Sequence, residues 1–489
     1  MAVWPSFCSG TYQSRSPTLD AEYAINLFPI TIESQANAKQ KALMGTPGLR
    51  KLFEVSSVSC RGIFSEDGVT VAVIGGTVYT FDLTIPSATS LGSLTDDGLP
   101  VSFASNGRGG EQLAICGGGE VKVIDLTTMT LGSAVTLPLT NAPSMIDFID
   151  GYGLVLEADT VKVYFSALED LESWDALDFF ARNQTSDNFV ALKVVRDRIW
   201  VMGSETTEIY YDSGAADVPF VPYPGAILYE GIVGAWAWAS DGESLFWLAQ
   251  NNQGRAYMVQ AQPGQSKHIS TDAIDFALAQ APRLEDTETL AYAQEGHMHL
   301  TWIVPTACNC GRAYTWDTKE QLWHERSSWD QTQAQFYRWR ARGVASTDQG
   351  IIVGDYADGN VYALDLDTFT ENGALIRRVR RAPYASSENQ IGFLDQIELG
   401  AQVGIGLSSG QGSSPTVMAR VSRDGNQTWT PYLTASLGRI GEYTNRVTWR
   451  HLGRVRMDRF GFEVSITDPV RVVFGPGLWL RITQGTGQL

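Results

Sequence analysis

The sequence is short of the residues that most chemistry-bearing proteins use. Five cysteines among 489 residues, an odd number, exclude a disulfide framework, and Cys8, Cys60 and Cys116 read as isolated reduced thiols. Five histidines leave little material for imidazole catalysis. No HExxH, no phosphate-binding GxxxxGK[ST] and no strand-linked GxGxxG occurs, so zinc-peptidase, P-loop and dinucleotide-binding chemistry have no sequence support. No stretch approaches 18 apolar residues, and the opening Met1-Ala-Val-Trp-Pro has no basic segment followed by an apolar one. That pattern predicts a soluble chain made in the cytoplasm, without membrane insertion. Positive charge is scarce too: 36 Lys and Arg against 54 Asp and Glu give a formal net charge of −18. Clamping nucleic acid by neutralising phosphates needs the opposite balance.

What is abundant is apolar and aromatic surface. Twenty Phe, 18 Tyr and 14 Trp within a 44% hydrophobic composition predict a packed core and exclude a disordered chain. The length fits two to four domains, or a longer repeat-built unit.

From about residue 52 short β-like runs alternate with Gly, Asp and Asn turns, with little helical periodicity. One unit recurs: an apolar strand, a tight turn, a second apolar strand, a polar turn, then a third strand ending in Tyr, Asp or Leu. It is seen from Gly62 (Asp67-Gly68, Gly75-Gly76), Val101 (Asn106-Gly107), Met145 (Asp150-Gly151), Phe189, Ala235 (Asp241-Gly242), Thr289 (Glu295-Gly296) and Gly343. Seven copies at a spacing near that of a four-stranded blade predict an all-β propeller of about seven blades, since radial packing removes open faces and edges.

Three textures follow along the chain. Residues 1–50 are polar and irregular and are expected to form an extended arm, 51–372 the propeller body, and 373–489 a β-sandwich-like module with strands near 416–422, 446–451, 462–467 and 470–474. Within the body, Leu168 to Phe180 is the best candidate for a helical turn.

Candidate chemistry is sparse. His297-x-His299 and Cys308-x-Cys310 each place two side chains on one strand face, but zinc sites usually space their cysteines by two to four residues, so no metal and no cofactor is expected. Asp96-Asp97 and Glu285, Asp286, Glu288 lie in turn-like contexts and read as solvated turns, so no catalytic residue is assigned. Ser422-Arg-Asp424-Gly425-Asn426-Gln-Thr428-Trp429 resembles the Asp-box hairpin of sialidases with its glycine one place early. It is expected to be a turn staple made by Ser422, Asp424, Thr428 and Trp429, because Asn426 tolerates the left-handed conformation.

Charge is uneven. Residues 337–489 hold 17 Arg, no Lys and 14 acids, leaving 19 basic and 40 acidic residues in 1–336. The densest basic features, Arg338-x-Arg340-x-Arg342 and Arg377-Arg378-Val-Arg380-Arg381, are expected to face a partner, because arginine suits bidentate interface contacts.

Asn26-Leu27-Phe28-Pro29, then Leu43-Met-Gly45-Thr46-Pro47-Gly48-Leu49-Arg50, together with the blade-like segments and the late Trp-ended hairpin, resemble the packaged-DNA stabilisation proteins of short-tailed bacteriophages. The resemblance implies a non-enzymatic tail hub or nozzle. Copies, typically six, would form a ring below the portal and adaptor, retain packaged DNA, let it pass without specific binding, and carry fibres or a needle. Such a protein would be assembled in the host cytoplasm and end in the virion tail. The alternative from another class is a glycan-binding or glycan-hydrolysing propeller of a tail appendage.

Overall fold

The computed structural model describes the chain apart from residues 1, 5, 34–39, 85, 183, 216, 252–253, 385–390 and 485–489. The dihedral preferences of paired turn residues set the local pattern. Asp67-Gly68, Asp150-Gly151 and Glu295-Gly296 hold positive φ at both positions and close the registers Glu66↔Val69, Ile149↔Tyr152 and Gln294↔His297. Two positive φ values match the right-handed twist of the flanking strands, which makes each a tight hairpin.

Four-stranded antiparallel meanders result. Their innermost strands begin with Cys60–Glu66, Ser102–Ser105, Pro143–Ile149, Phe189–Val195, Trp238–Ser240, Glu288–Gln294 and Ala341–Thr347. The second strands are apolar without alternation, as in Val69–Ile74 and Leu245–Gln250, because both their faces are covered by neighbouring sheets. Side chains of the last sheet (Ala345, Ile352, Val361) share one core with those of the first (Cys60, Ile63, Phe81), so the series closes on itself as a β-propeller. The fourth strand of the last sheet comes from the far end of the chain: Gly48–Glu54 pairs with Asn360–Asp365, Leu49 opposite Leu364.

The remaining strands form a β-sandwich built from both ends of the chain. One sheet runs Leu27–Ile32, Gln40–Gly45, Val473–Gln484, Ile391–Ala401, Val447–Arg456. The other runs Ala21–Ile25, Arg378–Arg381, Gly461–Ile466, Thr416–Ser422, Leu433–Ser436. Trp4, Phe7 and Leu27 from the N-terminus pack with Ile397, Trp449, Phe462 and Phe474 between them. The described part of the first fifty residues therefore contributes strands to both modules.

The segment expected as a helical turn is a strand, Asp170–Ala181, on the outer side of the third meander. Its reversal is completed at Leu168-Glu169, with Glu169 left-handed. Two register shifts let Leu171, Trp174 and Phe180 face inward while Glu172, Asp175 and Asp178 stay in water. Three apolar anchors and an available strand edge outweigh the helix propensity of a short run of Leu, Glu and Ala.

Candidate functional site: the junction of the two modules

Asn26 lies between Ala21–Ile25 and Leu27–Ile32, where the chain passes from one sandwich sheet to the other, and its φ is 56°. Asparagine accepts this conformation more readily than most residues. Its buried side chain uses every polar atom: Nδ2 donates to the carbonyls of Ser327 (2.7 Å) and Arg377 (2.9 Å), and Oδ1 accepts from Ser327 N–H (3.0 Å). The Asn26 N–H donates to the Glu325 carbonyl at 2.8 Å, and its own carbonyl accepts from Thr46 N–H at 3.1 Å. One residue thus ties the sixth meander, the sandwich and the second N-terminal motif together.

Phe28 projects into the sixth meander, with its ring edge-on to His297 and His299 (5.9 and 5.4 Å between centroids) and tilted against His324 (6.2 Å). His297 Nδ1 meets Asp317 Oδ2 at 2.6 Å. Burial, with the charges of Arg326 and His297 adding to it, pushes His299 down to about 3, and His324, wholly buried, lies well below the usual histidine range for the same reasons. Both are neutral packing residues.

The second motif supplies small residues where the modules touch. A Cβ on Gly48 would overlap the Thr368 carbonyl, and one on Gly45 would lie 2.6 Å from Arg378 Nε. The Pro47 carbonyl accepts from Arg326 Nη2 at 2.9 Å, and the Arg326 guanidinium lies 3.7 Å from the Trp339 ring centroid.

The arginines expected to face a partner are taken up by the chain itself. Arg380, fully buried, donates to the carbonyls of Phe7 (2.7 Å) and Gly10 (2.8 Å), to Ser9 Oγ (2.7 Å) and to Glu22 (2.9 Å). Arg378 is equally buried. Arg381 bonds Glu463 (2.8 Å) and Tyr23 (2.8 Å). Arg377 reaches Ser465 (3.0 Å) and Tyr432 (2.7 Å). Burial alone would raise the Glu463 carboxyl, but the Arg420 hydrogen bond and the charges of Arg381 and Arg420 hold it below the usual range. Arg338 pairs with Glu288 (2.6 Å), Arg340 with Asp355 (2.7 Å) and Asp358 (3.0 Å), and Arg342 with Glu288 (3.1 Å). Arg378 and Arg380 are both enclosed by the chain: the N-terminal segment brings the carbonyls of Phe7 and Gly10 and the Glu22 carboxylate to Arg380, while Arg378 lies against Gly45.

The hairpin at 422–429 has the geometry of a staple. Asp424 accepts from Ser422 Oγ (2.7 Å), Thr428 N–H (2.9 Å) and Thr428 Oγ1 (2.5 Å), and these bonds, those of Thr428 largest, hold its carboxyl well below the ordinary value. Asn426 is left-handed with φ 64°. Trp429 lies beneath Arg381 and Arg420, 4.5 and 5.0 Å from its centroid.

Along the propeller axis a cavity of about 420 Å³ is lined by the innermost strand of every meander. Its carboxylates are paired, Asp147 with Lys193 at 2.8 Å and Glu288 with Arg338 and Arg342. Trp247 is buried beside Trp200, whereas Trp236 and Trp238 line this cavity. Asp96 and Asp97 cap the turn amides of Gly98 and Leu99 and pair with Arg61, and Asp286 pairs with Arg283. His297 opens the strand that ends at Val304, and Cys308 lies in the turn after it; among the described residues no group of three His, Cys, Asp or Glu side chains is placed to hold a metal. Gly406-Leu407-Ser408-Ser409-Gly410 has the spacing of a nucleophile elbow. It lies in an irregular exposed loop leading to strand Thr416–Ser422, without the strand-to-helix turn that exposes such a serine.

Three exposed arginines were not singled out by the sequence. Arg450 and Arg481 flank Gln396 across three strands, and Arg454 stands opposite the exposed Phe393 on the same sandwich sheet. Their alternation within β-runs is the signal that marks them as one face.

These features define a propeller–sandwich protein with a polar junction between its modules. Two family profiles match the chain: bacteriophage P22 Gp10, β-propeller, over residues 6–369, and bacteriophage P22 Gp10, β-sandwich, over residues 377–477. The chain belongs to this family of phage stabilisation proteins, and is a structural component of a phage virion. No curated protein sequence matches it. Among solved structures it is similar to the N-terminal domain of Nup159 (10% identity, TM-score 0.39, covering 66% of this chain and 95% of that one). It is also similar to U3-55K (9% identity, TM-score 0.41, covering 65% and 99%) and to a chain of the S. cerevisiae dbp5–nup159–gle1 complex (8% identity, TM-score 0.41, covering 65% and 94%).

Proposed function

We propose that the chain is the subunit of a closed ring on the axis of a short phage tail, below the portal and adaptor, which retains packaged DNA and continues the ejection channel. The observation that carries this reading is the match of both modules, across nearly the whole chain, to the bacteriophage P22 Gp10 profiles.

Charge supports it. A ring of head-to-tail contacts needs two different patches on each copy. The exposed Arg450, Arg454 and Arg481 on the sandwich sheet and the acidic surface of a segment 1–336 with net charge −21 form such a complementary pair. An acidic lumen lets DNA move without sticking, since phosphates meet like charge. Six copies, with adaptor on one side and fibre or needle proteins on the other, complete the proposal. The role is non-enzymatic, in keeping with the paired carboxylates of the axial cavity.

The test is a phage carrying a nonsense mutation in this gene. Heads that fill with DNA and then lose it, with wild-type chain restoring retention in vitro, are the expected result. Particles that keep their DNA without this chain contradict the role.

A further inference from the structure

Among the outer strands of the first five meanders, that of the third stands apart. Asp170–Ala181 has 12 residues, against 7, 5, 3 and 4 in the others. It pairs on one side with Lys162–Ala167, and among the described strands nothing pairs with its other edge. Such an edge is a ready template for association, and proteins usually keep it short or cover it. This one displays apolar surface instead: Leu177 is 79% exposed, and Leu168, at the turn that leads into the strand, 61%.

The charge of this strand is of one sign. Glu172 and Asp175 are exposed. Partial burial, then the charge of Asp175, raises the Asp178 carboxyl, with no cation acting on it. Beside the strand lies a groove of about 300 Å³ between the second and third meanders, lined by Glu111, Asp125 and Glu172, and no Lys or Arg is among its described lining residues. The opposite pattern stands on the sandwich sheet, where Phe393 is 48% exposed beside the exposed Arg450, Arg454 and Arg481. At about 3.3 Å per residue, Asp170–Ala181 and Val447–Arg456 are each about 30–40 Å long, which spans a standard interface of about 800 Å² per partner.

We propose that these surfaces are the two halves of one contact between copies of this chain: the outer strand of the third meander, with its acidic groove, receives the arginine face of a neighbour's sandwich. The guanidinium fork pairs bidentately with carboxylates, so arginines enter the groove and meet Glu172 and Asp175, while Leu177 covers Phe393. The two surfaces differ, so the contact runs head to tail and repeats around a ring. The inference rests on the ring proposed above and names the face that meets its arginines.

The test complements the nonsense mutant with full-length variants. Glu172→Arg with Asp175→Arg, on an exposed strand, is expected to leave the circular dichroism spectrum and the unfolding midpoint unchanged and to lower incorporation into tails about tenfold or more, by setting like charges against each other. Adding Arg450→Glu with Arg481→Glu is expected to restore incorporation to within about twofold of wild type, because residues in contact are not additive and every interface then carries the exchanged charges. Should this fourfold variant fail to fold, Leu177→Asp decides: several-fold reduced incorporation is expected, and wild-type incorporation overturns the contact. A ring that admits the acidic-strand variant as it does wild type, or that excludes a folded fourfold variant, leaves the ring standing and overturns this contact alone. Tails without a ring of this chain overturn the ring reading itself.

Discussion

The side-chain amide of Asn26 pairs with the backbone of Ser327 as a neighbouring strand would, donating from Nδ2 at 2.7 Å and accepting at Oδ1 at 3.0 Å across 301 positions of sequence. The residue is left-handed and buried, so conformation and hydrogen bonding single out the same side chain. The first N-terminal motif is therefore explained by the joining of two modules.

Replacing Asn26 by Ala leaves the Ser327 N–H and two carbonyls without partners and puts a residue that tolerates the left-handed conformation less well than asparagine at φ 56°. The expected loss is about 3–5 kcal/mol. Asn26→Gly removes the amide but relieves the backbone, and is expected to be about 1 kcal/mol less damaging than Ala. Urea unfolding of both variants measures this; two variants of wild-type stability would show that Asn26 is not the tie.

Charge reversal separates buried from exposed arginines. Arg380→Glu places a carboxylate against the carbonyls of Phe7 and Gly10 and beside Glu22, and the expected outcome is loss of soluble folded chain, seen by circular dichroism. Breaking a buried pair by removing one partner costs about 3–5 kcal/mol, and reversal adds repulsion.

On the sandwich sheet, Arg450→Glu with Arg481→Glu is expected to leave the unfolding midpoint within about 0.5 kcal/mol of wild type while preventing incorporation into tails. Normal particles from this double variant would rule out that face as the contact.

Acid is expected to weaken the junction through its histidines. His299 and His324 have folded pKa values depressed by burial, so the unfolded chain binds protons first as pH falls. Their contribution is fully present above about pH 6.5 and is lost progressively as pH drops toward about 3, by at most about 1.4 kcal/mol per pH unit for each group. Urea midpoints measured from pH 7 to 5 follow this effect, together with that of Glu22 and the buried Glu371, whose carboxyls burial raises. His324→Leu is expected to flatten the slope, and an unchanged slope would remove His324 from the account.

Much of the propeller was legible because its information is local. Asp67-Gly68 and Glu295-Gly296 declare hairpins by dihedral preference alone, and the apolar runs after them show strands covered on both faces. The sandwich strands at 416–422 and 461–466 were visible for the same reason. Illegible were contacts made across the length of the chain: Gly48–Glu54 pairing with Asn360–Asp365, and Trp4 and Phe7 entering a core whose other half lies beyond residue 390. The intrachain partners of the basic run at 377–381 were illegible for that reason, since Glu22, Glu463 and the carbonyls of residues 7 and 10 stand far away in sequence. Arg450 and Arg481 were missed because two isolated arginines become one face only once strand register joins them.

Cryo-electron microscopy of intact particles, with an antibody fragment marking this chain, tests the central claim most directly. The account predicts label in a symmetric ring on the tail axis below the adaptor, with the propeller and sandwich fitting the density as one joined unit. Label confined to peripheral appendages, or absent from particles, would contradict it.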